Sequence, residues 1–170
     1  MTKKISVIIR TFNEEEWLHH CLEAIKLQDS YSKDRIDIII VDSGSSDNTL
    51  EIAQSQEAEI IHISDYKPGK ALNIGIENAI GEIIVIISAH CIPKNNNWLS
   101  SIIKPLDQDD IVGVYGRQLP LSSTSSEDAR DLYITFGPEK IHQKKNPFFH
   151  NANSAFRKTS WEEIKFDDEV

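Results

Sequence analysis

Three polar clusters interrupt an otherwise aliphatic first half of the chain. Arg10, Thr11, Phe12, Asn13 and Glu14 follow one apolar run; Asp42, Ser43, Gly44, Ser45, Ser46 and Asp47 follow a second; Ser88, Ala89, His90 and Cys91 follow a third. These residue types suit a phosphorylated, hydroxyl-rich small molecule, because carboxylates and amides exchange hydrogen bonds with base edges and ribose hydroxyls while imidazole and ammonium groups meet phosphate. Asp42 is placed to accept from a base or ribose. Lys67 and Lys70 flank Pro68 and Gly69 at the start of a predicted helix, where their charge and the free N–H groups suit a diphosphate. Each cluster also has a plain structural use: Asn13 as a helix cap, 43–47 as a turn, His90 as a histidine at a strand end, and the lysines as solvated surface charges. Only the elements behind the clusters decide between these uses.

Those elements are legible. Residues 5–9, 36–41, 59–63 and 82–87 are short, β-branched and continuously apolar, the pattern of strands buried on both faces. Between them, 14–28 sets Trp17, Leu18, Cys21, Leu22 and Ile25 on one helical stripe, Asn48 with Glu51 forms a capping box for a helix through Ala53, and 70–80 reads as a helix stopped by Gly81. Strand alternating with helix predicts a parallel sheet with right-handed crossovers. In such a sheet ligands bind beyond the carboxyl ends of the strands, which is where all three clusters fall. Further on, the pattern predicts a helix from Trp98 to about Pro105, a strand at 112–115, a polar loop at 121–126, a mobile stretch at 138–147 containing Lys140, Lys144 and Lys145, and a last helix capped by Thr159 and Glu162.

Composition bounds the function. The 170 residues suffice for one domain, and 18 basic against 27 acidic residues leave a net charge of -9, which excludes general attraction to nucleic acid or anionic lipid. The two cysteines, Cys21 and Cys91, have neither disulfide-framework nor zinc spacing and fit a reducing cytoplasm. No stretch reads as a signal peptide or membrane span, and the longest aliphatic run, 83–87, is far below the ~20 residues a spanning helix needs. Neither a dinucleotide-binding Gly-x-Gly-x-x-Gly nor a P-loop is present, so the ligand is to be recognised by side chains.

Taken as a set, residues 5–14, 39–49, 69–75 and 79–83 resemble a family 2 glycosyltransferase of the GT-A fold, an α/β Rossmann-like architecture with a mostly parallel sheet flanked by helices. Asn151 to Arg157 resembles the acceptor-side segment of that family, and Phe166, Asp167 and Asp168 the stretch before its catalytic carboxylate. The resemblance implies a nucleotide-diphosphate sugar as donor, with Thr11, Phe12, Asn13, Glu14 and Ser43 near the base and ribose, Asp42 facing the base, and Lys70 near the phosphates. It also implies inverting transfer to a saccharide or lipid-linked acceptor hydroxyl, with Asn151, Asn153 and Arg157 on the acceptor side. The expected location is cytoplasmic; a lipid-linked acceptor would call for contact with the inner membrane face through Lys140 to Lys145, for which an exposed solvated loop is the favoured reading.

The chain departs from the family at one place. An Asp-x-Asp that helps hold a divalent metal is replaced by Ser88, Ala89 and His90, a variant similar to bacterial rhamnosyltransferase-like enzymes in polysaccharide biosynthesis. His90 is then the candidate ligand for manganese or magnesium; alternatively, protonated His90 with Lys70 or Arg157 neutralises the diphosphate without metal. The resemblance divides a single domain into a donor half, about 1–120, and a partial acceptor half, about 121–170. It further implies a chain truncated before its base, leaving Asp167, Asp168 and Glu169 on a frayed terminus as candidates, Asp168 the first of them. Two rivals stand beside this: a non-catalytic nucleotide-sugar-binding module, and a nucleotidyltransferase, which the missing glycine-rich loop disfavours.

Overall fold

The computed structural model describes residues 3–32, 34–144 and 148–169. In chain order the elements are β1 (Ile5–Thr11), α1 (Leu18–Lys26), β2 (Ile36–Asp42), α2 (Thr49–Ser55), β3 (Glu59–His62), α3 (Pro68–Asn78), β4 (Ile83–Ser88), α4 (Trp98–Ile103) with a 3-10 turn (Lys104–Asp107), β5 (Gly113–Tyr115), α5 (Ser126–Thr135), β6 (Asn153–Arg157) and α6 (Lys158–Glu163). They build one six-stranded sheet in the order β3-β2-β1-β4-β6-β5. The four strands expected from the apolar runs are all present and parallel; β6 enters antiparallel to both β4 and β5.

Continuous aliphatic strands serve two cores because successive side chains point to opposite faces. Ile5, Val7 and Ile9 of β1 join Ile38 and Ile40 of β2 and Val85 of β4 beneath α1, α2 and α4. Ile8, Ile39, Val41, Ile84 and Ile86 point the other way, onto Ala71, Leu72 and Ile76 of α3 and Trp161 of α6. Close approach of α3 depends on Gly75, where a Cβ would lie 2.7 Å from Ile8 Cγ2 and 2.9 Å from Val41 Cγ2.

Several elements differ from the sequence pattern. The first helix starts at Leu18, four residues late, because 14–17 form a turn closed by the Glu14 carbonyl accepting from the Trp17 and Leu18 amides. Asn48 does not cap α2; Asp47 Oδ1 accepts from the Thr49 amide at 3.0 Å, while the Asn48 side chain donates to Glu15. The Thr159–Glu162 capping box does not form, since α6 already begins at Lys158 in direct continuation of β6. Helix α5 carries no buried residue, and Leu132, Tyr133 and Ile134 are consecutive instead of spaced along a stripe, so it left no periodic signal; its Ser125 cap and acidic first turn sustain it locally. The expected mobile stretch contains no helix or strand over 138–144, and Lys145, Asn146 and Pro147 lie outside the described residues. Among the described residues no helix is long and apolar enough to cross a membrane.

Candidate functional site

The topology brings the carboxyl ends of β1, β2 and β4 side by side, with Thr11 paired to Asp42 and Arg10 to Ser88. The β1–α1 and β2–α2 loops are laced together across this edge. Asn13 takes a left-handed backbone (φ 54) that lets its Oδ1 accept from the Ser46 amide at 2.8 Å while its own amide donates to Ser45 Oγ. The Glu14 amide donates to Thr49 Oγ1, and the Glu15 amide to Asp47. The result is a braced rim around a cleft of about 230 Å³, lined by Arg10, Phe12, Glu14, Tyr66, Ser88 and His90 among others. Phe12 is 60% exposed there, an aromatic face available for stacking on a base.

Asp42 is held from within the chain. It is fully buried, and each oxygen accepts two hydrogen bonds from the chain: Oδ1 from Thr11 Oγ1 and Ser45 Oγ, Oδ2 from the Gly44 and Ser45 amides. Burial alone would raise its pKa, but the bonds from Ser45, Gly44 and Thr11 outweigh this and hold it below the ordinary carboxylate value. In this arrangement Asp42 shapes the 42–46 turn through four internal donors. Ser43 points its hydroxyl back to the Thr11 carbonyl at 3.1 Å.

His90 meets Glu14: Nδ1 lies 3.1 Å from Oε1. This bond raises the imidazole pKa, against burial and the Arg10 charge, which lower it. Burial pushes the neighbouring Cys91 thiol up to about 11, so it is no nucleophile at neutral pH. For a protein-held divalent ion the fit is poor: among the described residues no three His, Cys, Asp or Glu side chains gather, and the one acidic partner of His90 is already bonded to it. Lys70, in the first turn of α3, is at the same edge but paired to Asp65 at 2.9 Å.

The acceptor-side residues separate. Asn151 and Asn153 reach the edge because β6 runs antiparallel, with Asn153 opposite Ile87. Asn153 Oδ1 accepts from Trp98 Nε1 at 2.9 Å, whereas Asn151 Oδ1 is buried without a partner. Arg157 is not brought to the site. It pairs with Ile83 at the far end of the sheet and donates to the Gln108 and Ile111 carbonyls, which removes it as a neutraliser of the diphosphate. Asp168 is not on a frayed end, since its Oδ1 accepts from Asn73 Nδ2 at 2.7 Å. Sequence reasoning left out Asn73, Tyr66, His150 and the role of Arg10; the available signal was the arginine closing a purely aliphatic strand.

Comparison with known proteins bears on the family and the fold. The family model described as glycosyl transferase family 2 matches residues 6–165. The chain belongs to this family. A dolichyl N-acetyl-α-D-glucosaminyl phosphate 3-β-D-2,3-diacetamido-2,3-dideoxy-β-D-glucuronosyltransferase from Methanococcus voltae is 36% identical over 163 residues, covering 87% of the family 2 chain and 50% of the relative. An O-antigen chain rhamnosyltransferase from Salmonella typhimurium is 24% identical over 95% of the chain and 54% of its own length. A mannosyltransferase from Pyrobaculum calidifontis, solved with GDP-Man and Mn2+, superposes with a TM-score of 0.76 at 22% identity over 100% of the chain and 49% of that structure. These matches show a GT-A fold, and the chain spans about half the length of the curated relatives it matches.

Proposed function

We propose that this family 2 chain binds a nucleotide-diphosphate sugar at the carboxyl edge of its sheet and serves its transfer, with inversion, to an acceptor hydroxyl. The observation that carries the reading is the convergence of 10–14, 42–47 and 88–90 on one cleft with an exposed aromatic, a cationic wall and a laced rim. Residues of about 1–120 form the donor half. In the reaction the acceptor oxygen bonds to the anomeric carbon as the bond to the diphosphate oxygen breaks, and the acceptor proton passes to a carboxylate. Asp168, fixed by Asn73, is the candidate base among the described residues.

The acceptor reading has its own support. An apolar cavity of about 730 Å³ lies beside β5 and α6, lined by Phe136, Phe148, Phe149, Phe156, Trp161 and Phe166 among others. Two of its rings, Phe136 and Phe148, stand 5.2 and 5.9 Å from His150, next to Asn151. Such a wall suits a saccharide's apolar face or the chain of a lipid-linked acceptor delivered from the cytoplasmic face of a membrane.

A non-catalytic binding module is the second reading, favoured because Glu14, Asp42 and Asp168 are all engaged within the protein. Incubation with a panel of nucleotide sugars, including UDP-GlcNAc and GDP-mannose, tests both readings by thermal shift and by released nucleoside diphosphate. A shift with release in the presence of acceptor is expected. Shift without release under every acceptor returns the module, and no shift with any member overturns the donor site.

A further inference from the structure

Arg10 is a charged group ending the most central aliphatic strand of the molecule. It stands in register beside Ser88, the first position of the segment where the family carries its metal-holding carboxylates. Its side chain is half-buried in the wall of the 230 Å³ cleft, and its Nη1 donates to Tyr66 Oη at 3.3 Å. Every other cation at this edge has an acidic neighbour: Lys70 has Asp65, Lys67 has Glu169, His90 has Glu14, and His62 lies 3.8 Å from Asp42. Among the described residues Arg10 has no carboxylate within ion-pair distance. Its charge is felt by neighbouring imidazoles: it opposes protonation of His90 in the cleft, and adds to the burial that lowers the proton affinity of His150.

A guanidinium with no carboxylate partner keeps its charge available, and its planar fork of donors matches two phosphate oxygens at once. The carboxylates that would otherwise attract a metal here are consumed, Glu14 by His90 and Asp42 by its four internal donors. We infer that Arg10, with Tyr66 and His90 beside it, is the diphosphate anchor of this site and takes the charge-neutralising place of a divalent metal, so that the donor binds without metal. The inference rests on the donor-site reading above. It assigns to Arg10 the ground-state grip on the diphosphate and the stabilisation of the departing nucleoside diphosphate.

Calorimetric titration with UDP, GDP, dTDP, ADP and CDP, in EDTA and again with Mn2+, tests this beside the matching nucleosides. At least one diphosphate is expected to bind in EDTA, with Mn2+ changing its affinity less than about twofold. Replacing a bidentate charged contact costs about tenfold or more in affinity, so Arg10→Gln should weaken that diphosphate by this much while leaving the nucleoside unchanged, and Arg10→Lys should fall between them. Binding that requires Mn2+, or an Arg10→Gln variant that holds the diphosphate as wild type does, overturns the inference and leaves the donor site standing. An Arg10→Gln variant that loses nucleoside equally also overturns it. Failure of every diphosphate and nucleoside to bind overturns the donor-site reading itself, and the inference with it.

Discussion

At the scale of single residues, the site is held by side chains satisfied inside the protein before any ligand arrives. Asp42 is the clearest case. Replacing it by Asn keeps the shape and an oxygen for the Gly44 and Ser45 amides, but removes the charge and sets an NH2 against the Thr11 and Ser45 hydroxyls, which should cost about 1–3 kcal/mol in urea unfolding at neutral pH. The pH dependence follows from the lowered folded pKa. The charge-linked part of the stabilisation is complete above the unfolded value of about 3.9, fades as pH falls through the lower folded value, and so makes the wild-type and Asp42→Asn stabilities converge in acid. A gap between the two that is constant from neutral pH to below 3 would show that the charge of Asp42 contributes nothing.

At the scale of elements, Asn73 joins the C-terminal segment to α3. Its Oδ1 accepts from Trp161 Nε1 at 2.7 Å and the Phe166 amide at 3.2 Å, and its Nδ2 donates to the Phe166 carbonyl and Asp168. Asn73→Ala strands these groups, at about 1–3 kcal/mol for each one left buried and unpaired. Faster amide exchange at Phe166 and lower stability are expected; unchanged protection at Phe166 would place the anchor elsewhere. This polar side chain on a helix face says little in sequence, because its partners lie some ninety positions away. The same distinction governs what the sequence shows. The four parallel strands and their crossover helices were legible since burial on two faces writes a local pattern, and so were the three clusters at their ends. Strand β6 was not, because Asn153 and Arg157 break its apolar run and its pairing depends on β4. The fate of Arg157 followed from that missing direction: only the antiparallel register places it at the far end. The position of Asp42 is legible in sequence but its internal partners are not, because Thr11 and Ser45 converge on it only once two loops meet.

At the scale of the whole molecule, the two clefts are opposite in character. The donor edge is polar and locally cationic in a protein of net charge -9, while the larger cavity is apolar and open, with Val112 65% and Ile164 81% exposed at its margin. Exposed apolar surface of this kind recruits ligands or partners. Nile red should therefore bind the native chain saturably, with emission shifted to the blue, and Ile164→Asp should weaken the binding without lowering the melting temperature, since that side chain is mostly in water. No dye binding to native protein would mean that the cavity is closed in solution. The reversal of β6 has one further consequence. Residues 116–152 leave the sheet at β5 and re-enter it at the adjacent β6, their ends clasped by the Gly116 amide on the Asn153 carbonyl at 2.8 Å. Closing a longer loop costs little, roughly 0.6 kcal/mol for each doubling of its length. The excursion is thus a cartridge: it can be lengthened, shortened or exchanged between proteins of this architecture at small thermodynamic cost, while the parallel strands keep their register.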